Sequence, residues 1–174
     1  MSIVTKWGND SKNSGATIRD SFKTIRHAVF NTSKAFEVVV YGGSYNELTL
    51  GRVAHRIRAV GRVIIESTDG LDSFLVDGTN YLDGFEIIGY SNPIQRPLTG
   101  QAGGYLKNCI IKKDGTAGTI VAEYYTGGIC ENSIFINYNI SLMAGSTKCT
   151  YIGELIKLGT EDRTWVPLNG QDPD

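Results

Sequence analysis

Proline is scarce in this chain, four in 174 residues, and cysteine is scarcer, with Cys109, Cys130 and Cys149 the only three. An odd count with no CxxC pair and no histidine nearby gives neither a disulfide framework nor zinc-ligand spacing. The three thiols therefore read as small hydrophobes in a chain made in a reducing cytosol, and no metal or other cofactor is expected. An excess of either charge is lacking too. The formal net charge of −1 and a pI near 6.1 are unlike the basic footprint of a nucleic-acid binder, so no nucleic-acid partner is expected. The opening MSIVTKWGNDSKN has no apolar core segment, so no secretory signal is expected. No run approaches the roughly 18 apolar residues that span a bilayer, so no membrane partner is expected either.

Glycine, by contrast, is plentiful at 21 residues, and it punctuates short apolar runs. Asn9, Asp10 and Ser11 beside Gly8 are turn chemistry. The apolar spacing of Ile18, Phe22, Ile25, Ala28 and Val29 then predicts one helix, from Thr17 to about Phe30, with Asp20 in its first turn. From there on the runs read as strands. Val38–Tyr41, closed by Gly42-Gly43, is the first; Arg62–Ile65, Ser73–Val76 and Phe85–Ile88 follow. Cys109–Ile111, Thr119–Ala122, Ser133–Ile136 and Glu154–Lys157 complete the set.

Self-comparison is more informative than any single run. A step of 24 residues from Val39 meets Val63, Ile87, Ile111 and Phe135, all large and apolar. In the same register lie Phe85, Cys109 and Ser133; then Gly84, Asn108 and Asn132; then Asp83, Lys107 and Glu131 with alternating charge. Arg62 and Glu86 make a similar opposite-charge pair. An apolar column, a turn column of Gly or Asn and a charged column in one register describe a solenoid. Stacked Asn amides can hydrogen-bond along such a turn and satisfy backbone groups there. Past Phe135 the step lands on Gly159, whereas Ile156 is the better partner, so the last coil is expected to be shorter. An antiparallel sandwich would need clean period-2 strands joined by hairpin turns, and the one Asn-Gly pair, Asn169-Gly170, sits in the tail.

The expected fold is therefore all-β: a short single-stranded right-handed parallel β-helix of about five coils with an N-terminal capping α-helix. It is read as one domain over residues 1–174, divided into an arm and cap helix (1–34), coils (35–160) and a C-terminal tail (161–174). Trp7-Gly8-Asn9-Asp10-Ser11, Gly15, Phe22-Lys23-Thr24-Ile25, Ala28-Val29 and Val38-Val39-Val40-Tyr41-Gly42-Gly43-Ser44-Tyr45 resemble the cap and first coil of pectin-lyase-like right-handed parallel β-helix proteins. The specific match covers about the first 45 residues; beyond them the likeness lies in the coil-like repeats. That fold serves polysaccharide lyases, glycoside hydrolases, adhesins and bacteriophage tailspikes alike, so the resemblance speaks for fold rather than function.

Catalytic candidates are thin. Asp83 and Glu131, two coils apart in one column, approach the carboxyl separation of an inverting glycosidase, but Lys107 between them makes a salt-bridged ladder the simpler reading. Asp69, Asp72 and Asp77 read as turn residues rather than a calcium cluster. His27 and His55 have no nucleophile or carboxylate at a recognisable spacing, and no enzyme activity is expected. Tyr41, Tyr45, Tyr90, Tyr124, Tyr125 and Tyr138 could stack on sugars or pack at an interface. Tyr124, Tyr125 and Trp165 are the binding candidates of first choice. A capped β-helix with no secretory signal and no convincing active site resembles the β-helices of phage particles. The expected function is therefore a non-enzymatic structural or attachment protein of a bacteriophage particle, a decoration protein or short tail spike or fibre component. Such a chain is made in the host cytoplasm and located in the virion. Its expected partners are its own copies, as a homotrimer, other virion proteins and cell-surface polysaccharide. A carbohydrate-active enzyme or a glycan-binding module on the same fold is the alternative.

Overall fold

The strands form, and every described pairing between them is parallel. A computed structural model describes residues 1–33, 37–47, 56–67, 81–89, 105–113, 118–120, 129–140, 149–152 and 163–166. The elements are β1 (Ser2–Val4), α1 (Ile25–Asn31), β2 (Glu37–Asn46), β3 (Arg56–Glu66) and β4 (Tyr81–Ile88). Then come β5 (Tyr105–Lys107), β6 (Ile110–Lys112), β7 (Gly118–Ile120), β8 (Ile129–Glu131) and β9 (Ile134–Ile136). The last are β10 (Tyr138–Ile140), β11 (Cys149–Ile152) and β12 (Arg163–Val166). They make a ten-stranded sheet in the order β1-β2-β3-β4-β6-β9-β11-β12, with β5 joining β4 to β8, and a separate pair β7–β10. Parallel neighbours cannot be joined by hairpins, so strands paired side by side come from successive passes of the chain. Strands β5 and β6, and likewise β8, β9 and β10, follow one another within a pass. The antiparallel sandwich is excluded. The expected strands at Ser73–Val76 and Glu154–Lys157, and the partner Ile156, lie outside the described residues.

One backbone feature organises the stack. Gly84, Asn108 and Asn132 all take positive φ, at 84°, 53° and 47°. A residue in that region re-aims the chain and shifts the in–out alternation by one position. Thus Leu82 points inward before the break, and Phe85 and Ile87 point inward after it. Leu106 is followed likewise by Cys109 and Ile111. Two inward columns result: Val38–Ile57–Leu82–Leu106 and Tyr45–Ile65–Ile87–Ile111–Phe135, every member buried. At about 25 cal/mol per Å² of apolar surface, these columns supply the main driving force for stacking.

The uniform step of 24 residues holds only from Ile87 to Phe135. Val39 pairs with Arg58, and Val63 pairs with Gly43 and Phe85, so neither belongs to the Ile87 column. The cause is a register shift in β3 between Arg58 and Val63, where extra residues bulge out of the ladder. A smaller shift lies between Tyr41 and Gly43, so Gly42-Gly43 bends β2 rather than ending it. Beyond Phe135 the column continues through Tyr151 to Trp165, so the repeat does shorten, but Tyr151 and not the expected Ile156 is the partner of Phe135. Arg163–Val166, expected in a tail, adds a strand beside β11 instead.

The helix is also shorter than expected. It starts at Ile25, and residues 17–22 are turns and a single bridge, Phe22 to Val4. Ile3 faces away from β2 and bonds to the arm: its N–H donates to Gly15 O (2.8 Å) and its carbonyl accepts from Phe22 N (2.9 Å). Residues 15–22 are thus needed as an edge that seals β1, and they cannot also be helix. Ile18 is accordingly exposed, and Asp20 accepts from the Ser14 N–H and hydroxyl rather than serving a helix start. Gly8 lies where an added Cβ would sit 2.0 Å from the Phe22 carbonyl oxygen, so only glycine fits.

All four first-turn N–H groups of α1 have acceptors, as a buried helix start requires. Ile25 N and Arg26 N donate to the two oxygens of Glu47 (2.6 and 3.2 Å), His27 N to Thr24 Oγ1 (3.2 Å) and Ala28 N to Thr24 O (3.3 Å). Asp10 in turn accepts from Lys23 N, Thr24 N and the Thr24 hydroxyl. Ile25, Ala28 and Val29 are buried beside Val4, Val38 and Val40, so the short helix covers the first strands as a cap.

Candidate functional site

The positive-φ column divides the outer surface into two ribbons. On the ribbon formed by β5, β8 and the first halves of β3 and β4, the outward side chains that are described, Arg56, Arg58, Tyr81, Asp83, Lys107 and Glu131, are polar. Arg58 Nε contacts Glu37 Oε1 at 3.0 Å, and Arg56 lies 5.2 Å from the Tyr81 ring centre. Asp83, Lys107 and Glu131 are in register, and Lys107 Nζ meets Glu131 Oε1 at 3.0 Å. That hydrogen bond holds the Lys107 ammonium above its ordinary pKa. Partial burial, and then the Asp83 charge, push Tyr81 upward. Along the seam, Asn108 Nδ2 donates to Asp83 Oδ1 (2.7 Å) and Asn132 Nδ2 donates to Asn108 Oδ1 (2.8 Å). The amide ladder therefore exists and is anchored on Asp83. Arg62 and Glu86 pair at 2.9 Å as expected, beside the seam.

Replacing Gly84 tests the seam. Gly84→Asn is expected to be neutral or up to about 1 kcal/mol stabilising, since Asn tolerates the left-handed region and loses less chain entropy. Among the described residues the only atom near an added Cβ is Ala59 Cβ, at 3.5 Å. Gly84→Val is expected to cost about 1–2 kcal/mol from φ strain. Urea denaturation of the two variants checks both values.

The catalytic candidates fall on this polar ribbon and are brought into one column, but not as a free acid pair. Two strand spacings separate Asp83 from Glu131, about 9.5 Å at the usual spacing, the upper limit of the inverting window. Asp83 accepts from Asn108, Glu131 is bonded to Lys107, and Lys107 stands between them. The arrangement is a charge-alternating ladder. Among the described residues, no group of three or more His, Cys, Asp or Glu is placed to hold a metal ion, and no helix is long and apolar enough to cross a membrane.

The second ribbon, from β6, β9, β11 and the second halves of β3 and β4, is different. Its outward residues form two columns. One runs Ser44, Ile64, Glu86, Ile110, Ile134, Thr150. The other runs Asn46, Glu66, Ile88, Lys112, Ile136, Ile152. Ile110 is 40% exposed and Ile134 36%. Ile64, Ile88, Ile136 and Ile152 are half-buried. Asn108, Asn132, Ser133, Thr150 and the two exposed isoleucines line a shallow groove of about 290 Å³ between seam and ribbon. β-Branched side chains on both sides of a strand are the signature of a sheet meant to be covered. The sequence carried this signal in runs apolar on both faces, yet without the phase shift at Asn108 and Asn132 it does not say which isoleucines face out.

Of the other candidates, Tyr45 is core: it is 2% exposed, its hydroxyl donates to Tyr41 O (2.7 Å), and burial pushes its pKa to about 12. It cannot serve as a sugar platform. His27 packs edge-on against Phe22, with ring centres 4.8 Å apart. Trp165 lies in β12 opposite Tyr151, a placement of its backbone alone. Tyr124, Tyr125, Tyr90, His55, Asp69, Asp72 and Asp77 lie outside the described residues, and Tyr138 is described only as part of β10. Cys109 is buried, its thiol contacting Lys107 O at 3.2 Å, and burial pushes its pKa to about 11, so it is an inert core thiol. Compared with protein-family models, curated proteins and solved structures, the chain matched none.

Proposed function

We propose that this chain is a short right-handed parallel β-helix that acts as a non-enzymatic structural or attachment module. In this reading it is a decoration protein or short spike or fibre component of a bacteriophage particle, working as a homotrimer. The observation that carries the proposal is the isoleucine ribbon. Six isoleucines stand outward in two adjacent columns, two of them exposed, interleaved with Glu86, which Arg62 pairs, and with Glu66 and Lys112. Outward β-branched side chains set among charged ones suit a protein–protein contact. The ladder of Asp83, Lys107 and Glu131 supports a scaffold, because its carboxylates are engaged in hydrogen bonds and ion pairs along the stack.

The test is the mass in solution of wild type and of the double variant Ile110→Lys/Ile134→Lys. Wild type is expected at three chains and the variant at one, with far-ultraviolet circular dichroism unchanged because both positions point outward. Reducing-sugar release from a polysaccharide panel, lost in Asp83→Ala or Glu131→Ala, would overturn the non-enzymatic reading.

A further inference from the structure

The β1 end of the strand path carries a surface unlike either ribbon. Residues 1–33 hold five cations, Lys6, Lys12, Arg19, Lys23 and Arg26, against two acids, Asp10 and Asp20. Both acids are engaged within the cap, Asp10 by Lys23 N, Thr24 N and the Thr24 hydroxyl, Asp20 by Ser14. All five cationic side chains are exposed, and among the described residues none forms an ion pair. Lys6 is committed to the fold, its stem against Gly43 and its ammonium over the Tyr45 ring. Apolar side chains stand among the others: Trp7 is 69% exposed, Phe30 55% and Ile18 45%. Apart from Met1 and the two ribbon isoleucines, these are the exposed large hydrophobics among the described residues.

Backbone bonds place these groups at the end of the stack. The arm, residues 15–22, lies along β1 on the side away from β2, with Ile3 N donating to Gly15 O and Phe22 N to Ile3 O. The 7–13 turn is tied to that arm. Asn9 N (3.0 Å) and Asn13 Nδ2 (2.8 Å) both donate to Ser21 O, and Lys23 N donates to Asp10 Oδ1 (2.7 Å). Trp7, Lys12, Ile18, Arg19 and Lys23 therefore belong to one terminal layer. The helix α1 joins its flank, with His27 edge-on against Phe22 and Arg26 5.6 Å from the centre of the exposed Phe30 ring. Strand addition beside β1 is blocked, because the outward bonding groups of Ile3 are taken by the arm. Contact at this end is made by side chains, and neither the capping of α1 nor the sealing of β1 uses those of Trp7, Ile18 or Phe30.

We infer that this terminal layer is a peripheral docking face for an anionic lipid surface. Trp7, Ile18 and Phe30 enter the headgroup region, and Lys12, Arg19 and Lys23 lie on the lipid phosphates. Trp and other apolar side chains set among Lys and Arg are what a water–lipid interface stabilises, and anionic headgroups attract the cations. Here Trp7 follows Lys6, Ile18 precedes Arg19, and Phe30 lies one helical turn after Arg26. The three apolar groups project from a turn, an arm and a helix. A fluid interface takes such separate protrusions at any spacing, whereas a protein surface needs a matching hollow for each. A nucleic-acid duplex would engage the cations through its phosphates and leave the apolar side chains in water. The contact needs no membrane-spanning run, since the layer rests on the bilayer instead of crossing it. It uses none of the ribbon isoleucines, so it stands or falls independently of the trimer.

Co-sedimentation with vesicles of 3:1 phosphatidylcholine and phosphatidylglycerol, and of phosphatidylcholine alone, tests this at 50 mM and 500 mM NaCl. Wild type is expected to bind the anionic vesicles at low salt, and about tenfold or more weakly on neutral vesicles or at high salt. Lys12→Gln/Lys23→Gln is expected to weaken binding about 25-fold, at about fivefold per cation. Trp7→Ala is expected to weaken it about tenfold. Both variants are expected to keep the wild-type far-ultraviolet circular dichroism, since all three side chains are exposed. In Trp165→Phe, which leaves Trp7 as the one tryptophan, emission is expected to shift to shorter wavelength on the anionic vesicles. Absence of vesicle binding, equal binding to both vesicles, or binding unchanged in Lys12→Gln/Lys23→Gln would overturn the inference. Binding of poly-L-glutamate or a DNA duplex that those two substitutions remove, without vesicle binding, would overturn it too and assign the face to an acidic protein or a nucleic acid.

Discussion

Ile111→Ala is expected to destabilise the protein by about 2–5 kcal/mol, whereas Ile110→Ala, one residue earlier, is expected to cost the single chain about 0.5 kcal/mol. Ile111 is fully buried between Ile87 and Phe135, and truncating it opens a cavity in the middle of a continuous column. Partial collapse of that cavity is hindered because the strands on either side are hydrogen-bonded in register and cannot close without breaking ladder bonds. Ile110 points to the opposite side and is 40% exposed. The contrast between adjacent isoleucines tests the phase shift at Asn108 directly. Equal costs in equilibrium urea unfolding at high salt would mean that the inward column is wrongly assigned.

Glu47→Ala is the second large effect, expected at about 2 kcal/mol. The substitution strips the acceptors from Ile25 N and Arg26 N, two donors at the start of a buried helix. The loss is tempered because a carboxylate 4% exposed carries a desolvation penalty that disappears with it. The same balance sets the pH dependence. Burial raises the Glu47 pKa above its ordinary 4.5, outweighing the two N–H groups and Arg26, which lower it. The folded state therefore binds the Glu47 proton more tightly than the unfolded state does. Its contribution is complete below about 4.5 and is lost as pH rises through the elevated folded value. Wild type minus Glu47→Gln stability, measured from pH 4 to 8, is expected to fall with increasing pH. A difference that rises over that range would show the helix N–H groups to be dominant.

Glu47 was invisible as a helix clamp in the sequence because it lies 22 residues after Ile25, the start of the helix, and no local spacing marks it. Thr24 carried a usable signal: a threonine immediately before Ile25 is a good N-cap. The apolar spacing that includes Ile18 and Phe22 masks it, since Phe22 is buried for a different reason, as the bridge partner of Val4. The run Ile3-Val4-Thr5 is β-branched and short, and its strand character depends on β2 and the arm lying on either side. The middle of the stack was far more legible. Between Ile87 and Phe135 the repeat length is constant, so residues that touch in space sit at one spacing in the chain. The Asn108–Asn132 ladder and the Lys107–Glu131 pair were readable for that reason. Before it, the bulge between Arg58 and Val63 breaks the step, and periodicity has no term for residues that leave the ladder. The carboxylate column was legible as well, but its chemistry depended on partners. Only the Asn108 amide on Asp83 and the Lys107 ammonium on Glu131 distinguish a rail from an acid pair.

The outward isoleucines carry the functional proposal, and light scattering on the intact chain in 500 mM NaCl, with Ile110→Lys/Ile134→Lys alongside, tests it most directly. High salt screens charge-driven contacts and leaves apolar ones. A mass of three chains for wild type and one for the double variant is the expected result. A single-chain mass for wild type, or a trimer that survives both lysines, would contradict the assignment of the isoleucine ribbon as the assembly surface.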